Sequence, residues 1–458
     1  MSRHYEKTVR IALLGLELAA LSLVFYLVWV EYYNPHIVWP FWRRGNYLLT
    51  IMYGVLLLMS VLRMKGQGLG EARLTEVVVS QCIALLLTTV IVYVPMSLLQ
   101  YELLNPTPLA LLMLGQWAIV VVWNYGANRI YYRLVRPRRV LLVTDGTRGR
   151  RIAAKLNRIP QRYRVQEEAT VAEGKQTLLQ RVRGYDAVLV SVENEAWCGW
   201  LSRLCFENDI EFLLVPTLAD MLVNSAKEMH MVDTPLLGST GHRLTVEARA
   251  LKRMLDVTGA LLLLVLCSPL FVAAAVAIKI CDGGPVFFRQ ERLTRNGEVF
   301  KMLKFRSMRE DAEMAGQRLA TENDARITPV GRVLRKYRID ELPQFLNVLR
   351  GEMSLVGPRP ECPAIAAEYE KELPEFAYRL KVKAGITGYA QVYGDYATEP
   401  VDKLLMDIMY IEKSSLMLDL NLVLLTLRTL FLTDKTKGAQ QEDIRIHKDT
   451  QPDDSQVA

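Results

Sequence analysis

"LKRMLDVTGALLLLVLCSPLFVAAAVAIKICDGG", residues 251–284, decides how the chain is arranged. Its apolar window, 257–278, has the length of a transmembrane helix and would put everything after it across a membrane. Two features oppose a crossing. Lys252 and Arg253 stand at one end and Lys279 at the other, so both flanks ask for the cytoplasm. Ser268-Pro269 sits in the middle, where proline removes a backbone donor and clashes with the preceding turn. The residue before a proline is also biased away from helical angles. Each half is then roughly ten residues, or ~15 Å, about half of a bilayer core. A helix-break-helix that enters one leaflet and returns accounts for charges and proline together. A Pro-kinked spanning helix is the alternative, and these residues alone leave both open.

Upstream, four long apolar stretches cover about 11–30, 47–62, 75–99 and 108–128, the second being the shortest. The first does not read as a cleaved signal peptide, since it is long enough to span and lacks a small-residue cleavage site. Arg3, Lys7 and Arg10 precede it, Arg63, Lys65 and Arg73 follow the second stretch, and Arg129, Arg133, Arg136, Arg138 and Arg139 follow the fourth. The loop "QYELLNPT" carries no cation. The positive-inside rule therefore places the N-terminus and everything after residue 129 in the cytoplasm, against the vote of Arg43 and Arg44. A four-helix transmembrane domain over 1–130 is expected.

The 458 residues leave room for two or three domains. Hydrophobic residues make up 51%, and the net charge of +7 suits an anionic partner: nucleic acid, a phospholipid surface or a phosphorylated substrate. The six cysteines show no CxxC pairing, which argues against zinc or a disulfide framework and fits a reducing compartment.

From Arg138 the pattern changes. "RRVLLVTDG", "YDAVLVSV" and "IEFLLVP" read as strands, and "TRGRRIAAKLNRI" as a helix, which predicts a small parallel, Rossmann-like α/β domain within 138–235. The turn after the first strand holds only Gly146 and Gly149, not G-x-G-x-x-G. No acidic residue stands at a convincing strand end for a ribose. A scaffold or regulatory domain without a bound dinucleotide is the reading.

After the hairpin, "GPVFFRQERLTRNGEVFKMLKFRSM" reads as a β-hairpin turned by Asn296-Gly297. Lys304 and Arg306 lie two apart on its second strand and share a face. "PVGRVLRKYRI" reads as a helix with Arg332, Arg335 and Arg338 along one side; a solvated face is the bland explanation. Asp340-Glu341-Leu342-Pro343 follows, with Leu342, Phe345, Leu346 and Leu349 at helical spacing and Gly351 as a stop. Asp340 then sits at or next to a helix N-cap, where an Asp stabilises by about 1 kcal/mol with no further purpose. The same position suits chemistry. A helix start attracts phosphate and favours an ionised Asp, the form a nucleophile needs. Glu341, about 100° away around the helix, can hold Mg²⁺ beside a reacting phosphate. In "SLVGPRPE" two prolines stiffen the backbone around Arg359, a good clamp for a phosphate.

These residues carry a resemblance. Lys252-Arg253-x-x-Asp256 before an apolar stretch with Ser-Pro, then KFRSM, DELPQ-x-x-NVLRG-x-MSLVGPRPE and GITGYAQV, resemble the bacterial sugar transferases, monotopic polyprenyl-phosphate glycosyl-1-phosphate transferases. The resemblance covers about 250–435, with its re-entrant helix at 254–280; the preceding spans and α/β domain are similar to the family's large members. The fold class implied is a membrane protein of α+β type: four N-terminal spans, a Rossmann-like domain and a C-terminal catalytic domain. The activity implied is transfer of hexose-1-phosphate from a UDP-sugar to undecaprenyl phosphate with release of UMP. This is the first membrane step of exopolysaccharide, capsule or O-antigen synthesis, at the cytoplasmic face of a bacterial inner membrane. Asp340 would be the nucleophile of a ping-pong mechanism and Glu341 the Mg²⁺ ligand. Lys304, Arg335, Arg359 and the acidic position Asp407 would contact phosphate or substrate. Ser268 and Pro269 match the family's helix break and so favour the re-entrant reading. Asp395 in "AQVYGDY" stands where several small members carry an Arg, so sugar identity does not transfer.

Partners implied are the two substrates and membrane lipids, with no nucleic acid and the α/β domain as a candidate homodimer contact. The Leu-rich stretch 415–432 carries Asp419 and Arg428, which reads as an interfacial helix or an ordinary buried one. The polar tail 436–458 is expected to be disordered. Two rivals remain. A polytopic lipid phosphotransferase would need acidic residues within the spans, where only Glu17 and, at the edge of the third, Glu76 occur. A non-enzymatic membrane scaffold or sensor would tolerate a degraded Asp-Glu pair or PRP loop, and both are intact.

Overall fold

The computed structural model describes residues 3–157, 162–224, 226–231, 233–238, 245–309, 326–394 and 398–431. It divides into two compact units, Met1–Thr217 and Leu218–Ala458. The 436–458 tail and Asp395 lie outside the described residues.

The first unit begins with four helices: α1 (Arg3–Val28), α2 (Arg43–Arg63), α3 (Leu74–Gln100) and α4 (Thr107–Leu134). Each is long and apolar enough to cross a membrane, and α2 is the shortest. Leucines and valines such as Leu48, Val122 and Leu111 point outward, as they must where lipid is the solvent. Polar side chains turn inward and pair. Asn124 Nδ2 donates to Glu17 Oε1 at 2.7 Å, and Gln81 Nε2 donates to Glu17 Oε2 at 3.1 Å.

A parallel sheet follows, from β1 (Arg138–Thr144), β2 (Tyr163–Ala169), β3 (Ala187–Ser191) and β4 (Glu211–Leu214), in the order β2-β1-β3-β4. Its crossovers contain α5 (Thr147–Asn157), α6 (Lys175–Val182) and α7 (Glu195–Glu207). β1 and β3 are central and almost wholly buried, hence their unbroken Val/Leu runs. The sequence reading missed β2. Its "YRVQEEA" buries only Tyr163 and Ala169, because an edge strand need not be apolar. Arg138 ties β1 to the bundle, pairing with Glu6 of α1 at 2.7 Å and with Glu211 of β4.

Strand order reverses beside β1, where open α/β sheets usually bind ligands. Here the turn is closed on itself. The Gly146 N–H donates to Thr144 Oγ1 at 3.2 Å, and that hydroxyl lies 3.1 Å from the Ser191 carbonyl. A Cβ on Gly149 would collide with Thr144 and Ser191, so this glycine lets α5 press onto the strands.

The second unit opens with α8 (Leu218–Asn224) and the β5 (Lys227–Met231)–β6 (Thr234–Gly238) hairpin. Next come α9 (Val246–Leu266) and α10 (Ser268–Asp282), bent by 62° at Cys267. The halves are not two equal ten-residue pieces. α9 has 21 residues, because its first half is docked on the globular part. Arg253 donates to the Val348 and Leu349 carbonyls at 2.6 and 2.9 Å. Asp256 accepts from Ser354 Oγ and the Leu355 N–H at 2.8 and 2.9 Å. Exposed apolar side chains gather around the break: Leu262, Val265, Leu266, Val272 and Val276.

The globular part starts with the expected hairpin, β7 (Phe287–Leu293) and β8 (Val299–Phe305). Asn296 and Gly297 both have positive φ, 59° and 77°, as its turn requires. Then come α11 (Pro329–Lys336), a 3-10 turn Ile339–Glu341, α12 (Gln344–Arg350) and β9 (Ser354–Val356). After α13 (Pro363–Glu372) and a 3-10 segment Pro374–Lys381, β10 (Gly385–Thr387) pairs parallel with β9. The last helices are α14 (Tyr389–Tyr393), α15 (Pro400–Glu412) and α16 (Leu416–Leu430). Asn347 of α12 stands in for a missing strand beside β8: its Oδ1 accepts from the Leu303 N–H and its Nδ2 donates to the Lys301 carbonyl, both at 2.9 Å. The charges in α16 do not mark a wet face. Asp419 pairs with Lys252 at 2.6 Å, and Arg428 is buried beside a core of Leu422 and Leu425.

Candidate active site

The Asp340 turn is shaped by its flanks. α11 stops at Lys336, and Arg338 takes a left-handed conformation, φ 54° and ψ 25°. A side chain there is strained by roughly 1–2 kcal/mol, a feature that clusters at functional sites. Arg338 therefore leaves the helix face that Arg332 and Arg335 share, and the expected three-arginine stripe ends after two. Period-three spacing assumed that the helix ran on. Ile339 and Leu342 then insert against Ala274, Ile278, Phe305 and Leu334, so the turn rests directly on α10.

Asp340 lies inside this turn and is buried. It is the N-cap of neither flanking element: Arg338 precedes the 3-10 turn and Pro343 precedes α12, so helix capping does not account for it. Glu341 Oε1 accepts from Arg359 Nη2 at 3.0 Å and lies 3.9 Å from Lys304 Nζ. Arg335 Nη1 is buried without a hydrogen-bond partner. The two carboxyls are driven apart. Burial, then the charge of Glu341, pushes Asp340 up to about 6, against the pull of Lys304, Arg335 and Arg359. Burial also opposes ionisation of Glu341, but Arg359, Lys304 and Arg338 outweigh it and hold that carboxyl down to about 2. Burial lowers Lys304, while Glu341 raises Arg359. Two carboxylates with separated titrations suit a reactive group beside a permanent anion.

Arg359 is presented from a loop whose carbonyls are held in turn. The Val356 carbonyl accepts from Tyr410 Oη at 3.0 Å, and that of Pro358 from the Gly385 N–H at 2.9 Å. Arg379 Nη2 donates to the Arg359 carbonyl at 3.0 Å, and Arg292 Nη1 to that of Pro360 at 3.1 Å. The Leu293 N–H takes the Glu361 carbonyl at 3.0 Å. Gly357 is required because a Cβ there would strike the Lys383 carbonyl of the neighbouring chain segment.

The structure brings Asp340, Glu341, Lys304, Arg335 and Arg359 into one charge cluster. It places Asp407 elsewhere. That residue is 0% exposed and pairs with Arg379 Nη2 at 2.8 Å, behind the Arg359 loop instead of on a substrate-facing surface. Burial pushes Asp407 up to about 6 despite Arg379. Ser268 and Pro269 form the α9–α10 break. Ser268 Oγ donates to the Val265 carbonyl at 2.8 Å, and Pro269 sits in the first turn of α10, where its missing N–H is harmless. Sequence reasoning missed Arg379 and Arg292. "EFAYRLK" offers no period or neighbour that marks Arg379, and only its long-range contacts give it meaning.

Among the described residues no three His, Cys, Asp or Glu side chains gather to hold a metal. Asp340 and Glu341 are the adjacent carboxylates of the cluster, and Mg²⁺ is commonly held by one or two carboxylates plus substrate phosphates.

Four apolar helices and a mixed α and β body, with an acidic pair ringed by cations, define a membrane protein whose site suits phosphate chemistry. Residues 247–433 match the model of a family described as bacterial sugar transferase. A UDP-N-acetylgalactosamine-undecaprenyl-phosphate N-acetylgalactosaminephosphotransferase of Aeromonas hydrophila is 39% identical over 254 residues, 54% of this chain and 59% of that protein. A UDP-glucose:undecaprenyl-phosphate glucose-1-phosphate transferase of Caulobacter vibrioides is 47% identical over 199 residues, 42% of this chain and 73% of its own. An Escherichia coli protein of the same description is 40% identical over 211 residues, 44% of this chain and 43% of that one. The chain thus spans from under half to about three quarters of these relatives' lengths. It belongs to the bacterial sugar transferase family.

Proposed function

We propose that this protein transfers a hexose-1-phosphate from a UDP-sugar to undecaprenyl phosphate, releasing UMP and leaving the lipid diphosphate sugar. The observation that carries the reading is the adjacent acidic pair inside a ring of cations: Asp340 is buried beside Glu341, with Arg359 at 3.0 Å and Lys304 at 3.9 Å from the Glu341 carboxylate. The activities for which the relatives are named support it. An oxygen of Asp340 attacks the β-phosphorus of the donor. The bond from that phosphorus to the bridging oxygen breaks, UMP departs, and an aspartyl phospho-sugar forms. The lipid phosphate then attacks the same phosphorus and frees Asp340. Lys304, Arg335 and Arg359 neutralise the phosphoryl oxygens, which is most of what such a transfer needs. Mg²⁺, held at Glu341, would supply further charge neutralisation to the diphosphate.

The α9–α10 bend is read as a re-entrant helix in the inner membrane, entered from the cytoplasm. The exposed apolar side chains around Cys267 support this, as does the turn bearing Asp340 resting on α10. On that reading the nucleophile lies near the depth of a lipid phosphate. The test is UMP release from purified protein with undecaprenyl phosphate, Mg²⁺ and a panel of UDP-hexoses. Release with at least one donor, lost in Asp340→Asn, is expected; no release with any donor overturns the reading.

A further inference from the structure

We propose that Arg379, charge-balanced by the buried Asp407, is a positioning residue that aims the Arg359 guanidinium at the acidic pair. The inference rests on the phosphotransfer reading and assigns Asp407 to the loop, not to the substrate. Arg359 itself is 47% exposed on its side chain, so solvent does not restrain it. Its aim is set by its backbone. The Arg359 carbonyl has one side-chain donor, Arg379 Nη2 at 3.0 Å. The same nitrogen lies 2.8 Å from Asp407 Oδ2, and Nη1 lies 3.4 Å from Glu361 Oε1. The guanidinium also sits over the Phe376 ring, 4.6 Å from its centroid. With 4% of its side chain exposed, Arg379 meets almost no water.

A guanidinium buried this far needs a counter-charge, since an unpaired buried charge is strongly destabilising. Asp407 supplies it. Asp407 Oδ2 lies 2.8 Å from Arg379 Nη2, a counter-charge at close range. Glu361 serves the neighbouring arginine too: Arg292 Nη1 lies 3.8 Å from Glu361 Oε2 while donating to the Pro360 carbonyl. Two arginines thus grip successive carbonyls of the Pro358-Arg359-Pro360 loop from behind. Lysine cannot replace Arg379. A single ammonium has no planar fork to meet the Arg359 carbonyl, Asp407 and Glu361 together.

The test is a double-mutant cycle on UMP release, with Arg379→Lys, Asp407→Asn and Arg359→Ala. Either of the first two alone is expected to lower kcat/KM by about 100-fold, as a misplacement of about an ångström does. Added to Arg359→Ala, each is expected to cost less than about twofold, because a positioning residue has nothing left to aim. Losses that multiply fully in the Arg359→Ala background overturn the proposal. If Asp407→Asn alone multiplies, Asp407 acts on substrate directly and its part of the proposal falls. A second readout needs no turnover: phenylglyoxal labelling of Arg359, followed by peptide mass spectrometry. Faster labelling is expected in Arg379→Lys and in Asp407→Asn, as Arg359 leaves Glu341. An unchanged rate in both overturns the proposal even where Arg379→Lys unfolds in the assay. Wild-type protein that releases no UMP sinks the transferase reading alone, and labelling then decides the clamp.

Discussion

The turn after β1 and the turn before α12 carry similar ingredients: a helix start, nearby arginines and a short hydroxyl or carboxyl side chain. They use them in opposite ways. At Thr144–Gly149 the polar groups satisfy one another. Thr144 takes the Gly146 N–H, and Gly149 is there for contact between helix and strand. At Ile339–Glu341 the backbone is supported from beneath by apolar packing, behind a left-handed Arg338, and Asp340 and Glu341 are buried among cations. A sealed turn stabilises its own domain. A turn whose charges are held apart keeps them available to a ligand. Neither property is visible in the local sequence, since both turns hold residues that attract phosphate elsewhere.

The sharpest way to break the contrast is Asp340→Asn. UMP release should fall on the order of a thousandfold or more, the scale of losing a nucleophile. The variant should still fractionate with membranes, because Asn keeps the size of Asp and Asp340 is the N-cap of neither flanking helix. A variant with near wild-type turnover would reduce Asp340 to a packing residue and erase the difference between the turns.

The titration of the pair comes next. In the proposed mechanism Asp340 attacks only when ionised, and its carboxyl is pushed up to about 6. kcat/KM for UMP release should therefore rise about tenfold per unit below pH 6 and level off above 7. Glu341 is one of the groups raising Asp340, so Glu341→Gln should move that limb to lower pH while lowering its plateau. Asp407 also titrates near 6, so the wild-type limb could be shared. Persistence of the limb in Asp407→Asn assigns it to Asp340, and its disappearance there assigns it to the loop behind.

Much of this architecture could be read from the chain alone. Hydropathy found the four long apolar helices, and Asn296-Gly297 announced its hairpin because both residues accept the positive φ that the turn takes there. The adjacent Asp340 and Glu341 and the bracketed Arg359 were also legible, each being a local feature. What failed was non-local. β2 lacks an apolar period because its inner neighbour does the burying. The hydropathy window saw only the apolar part of α9 and missed the half that Arg253 and Asp256 dock. Arg379 has no signal until Arg359, 20 residues away, lies against it.

Gly149→Ala probes the sealed turn directly. A Cβ at that position would strike Thr144 and Ser191, and overpacking of this kind costs typically 1–3 kcal/mol. The melting temperature should fall while kcat/KM of the folded protein stays within about twofold of wild type. A large loss of turnover without a change in melting would mean that this turn serves the reaction.

The smallest expected effect is the most telling for the α/β domain. A ligand that binds only the folded state at a hundred times its Kd stabilises by about 2.7 kcal/mol, which a melting curve resolves easily. NAD(H), NADP(H) and UDP each find the Gly146 N–H already taken by Thr144 and no G-x-G-x-x-G beside it. With the catalytic site disabled by Asp340→Asn and Arg359→Ala, millimolar dinucleotide should leave the melting temperature unmoved. A dinucleotide-dependent rise, abolished by Gly149→Ala, would show the turn opening to admit a phosphate. The two turns would then differ in what they bind instead of in whether they bind.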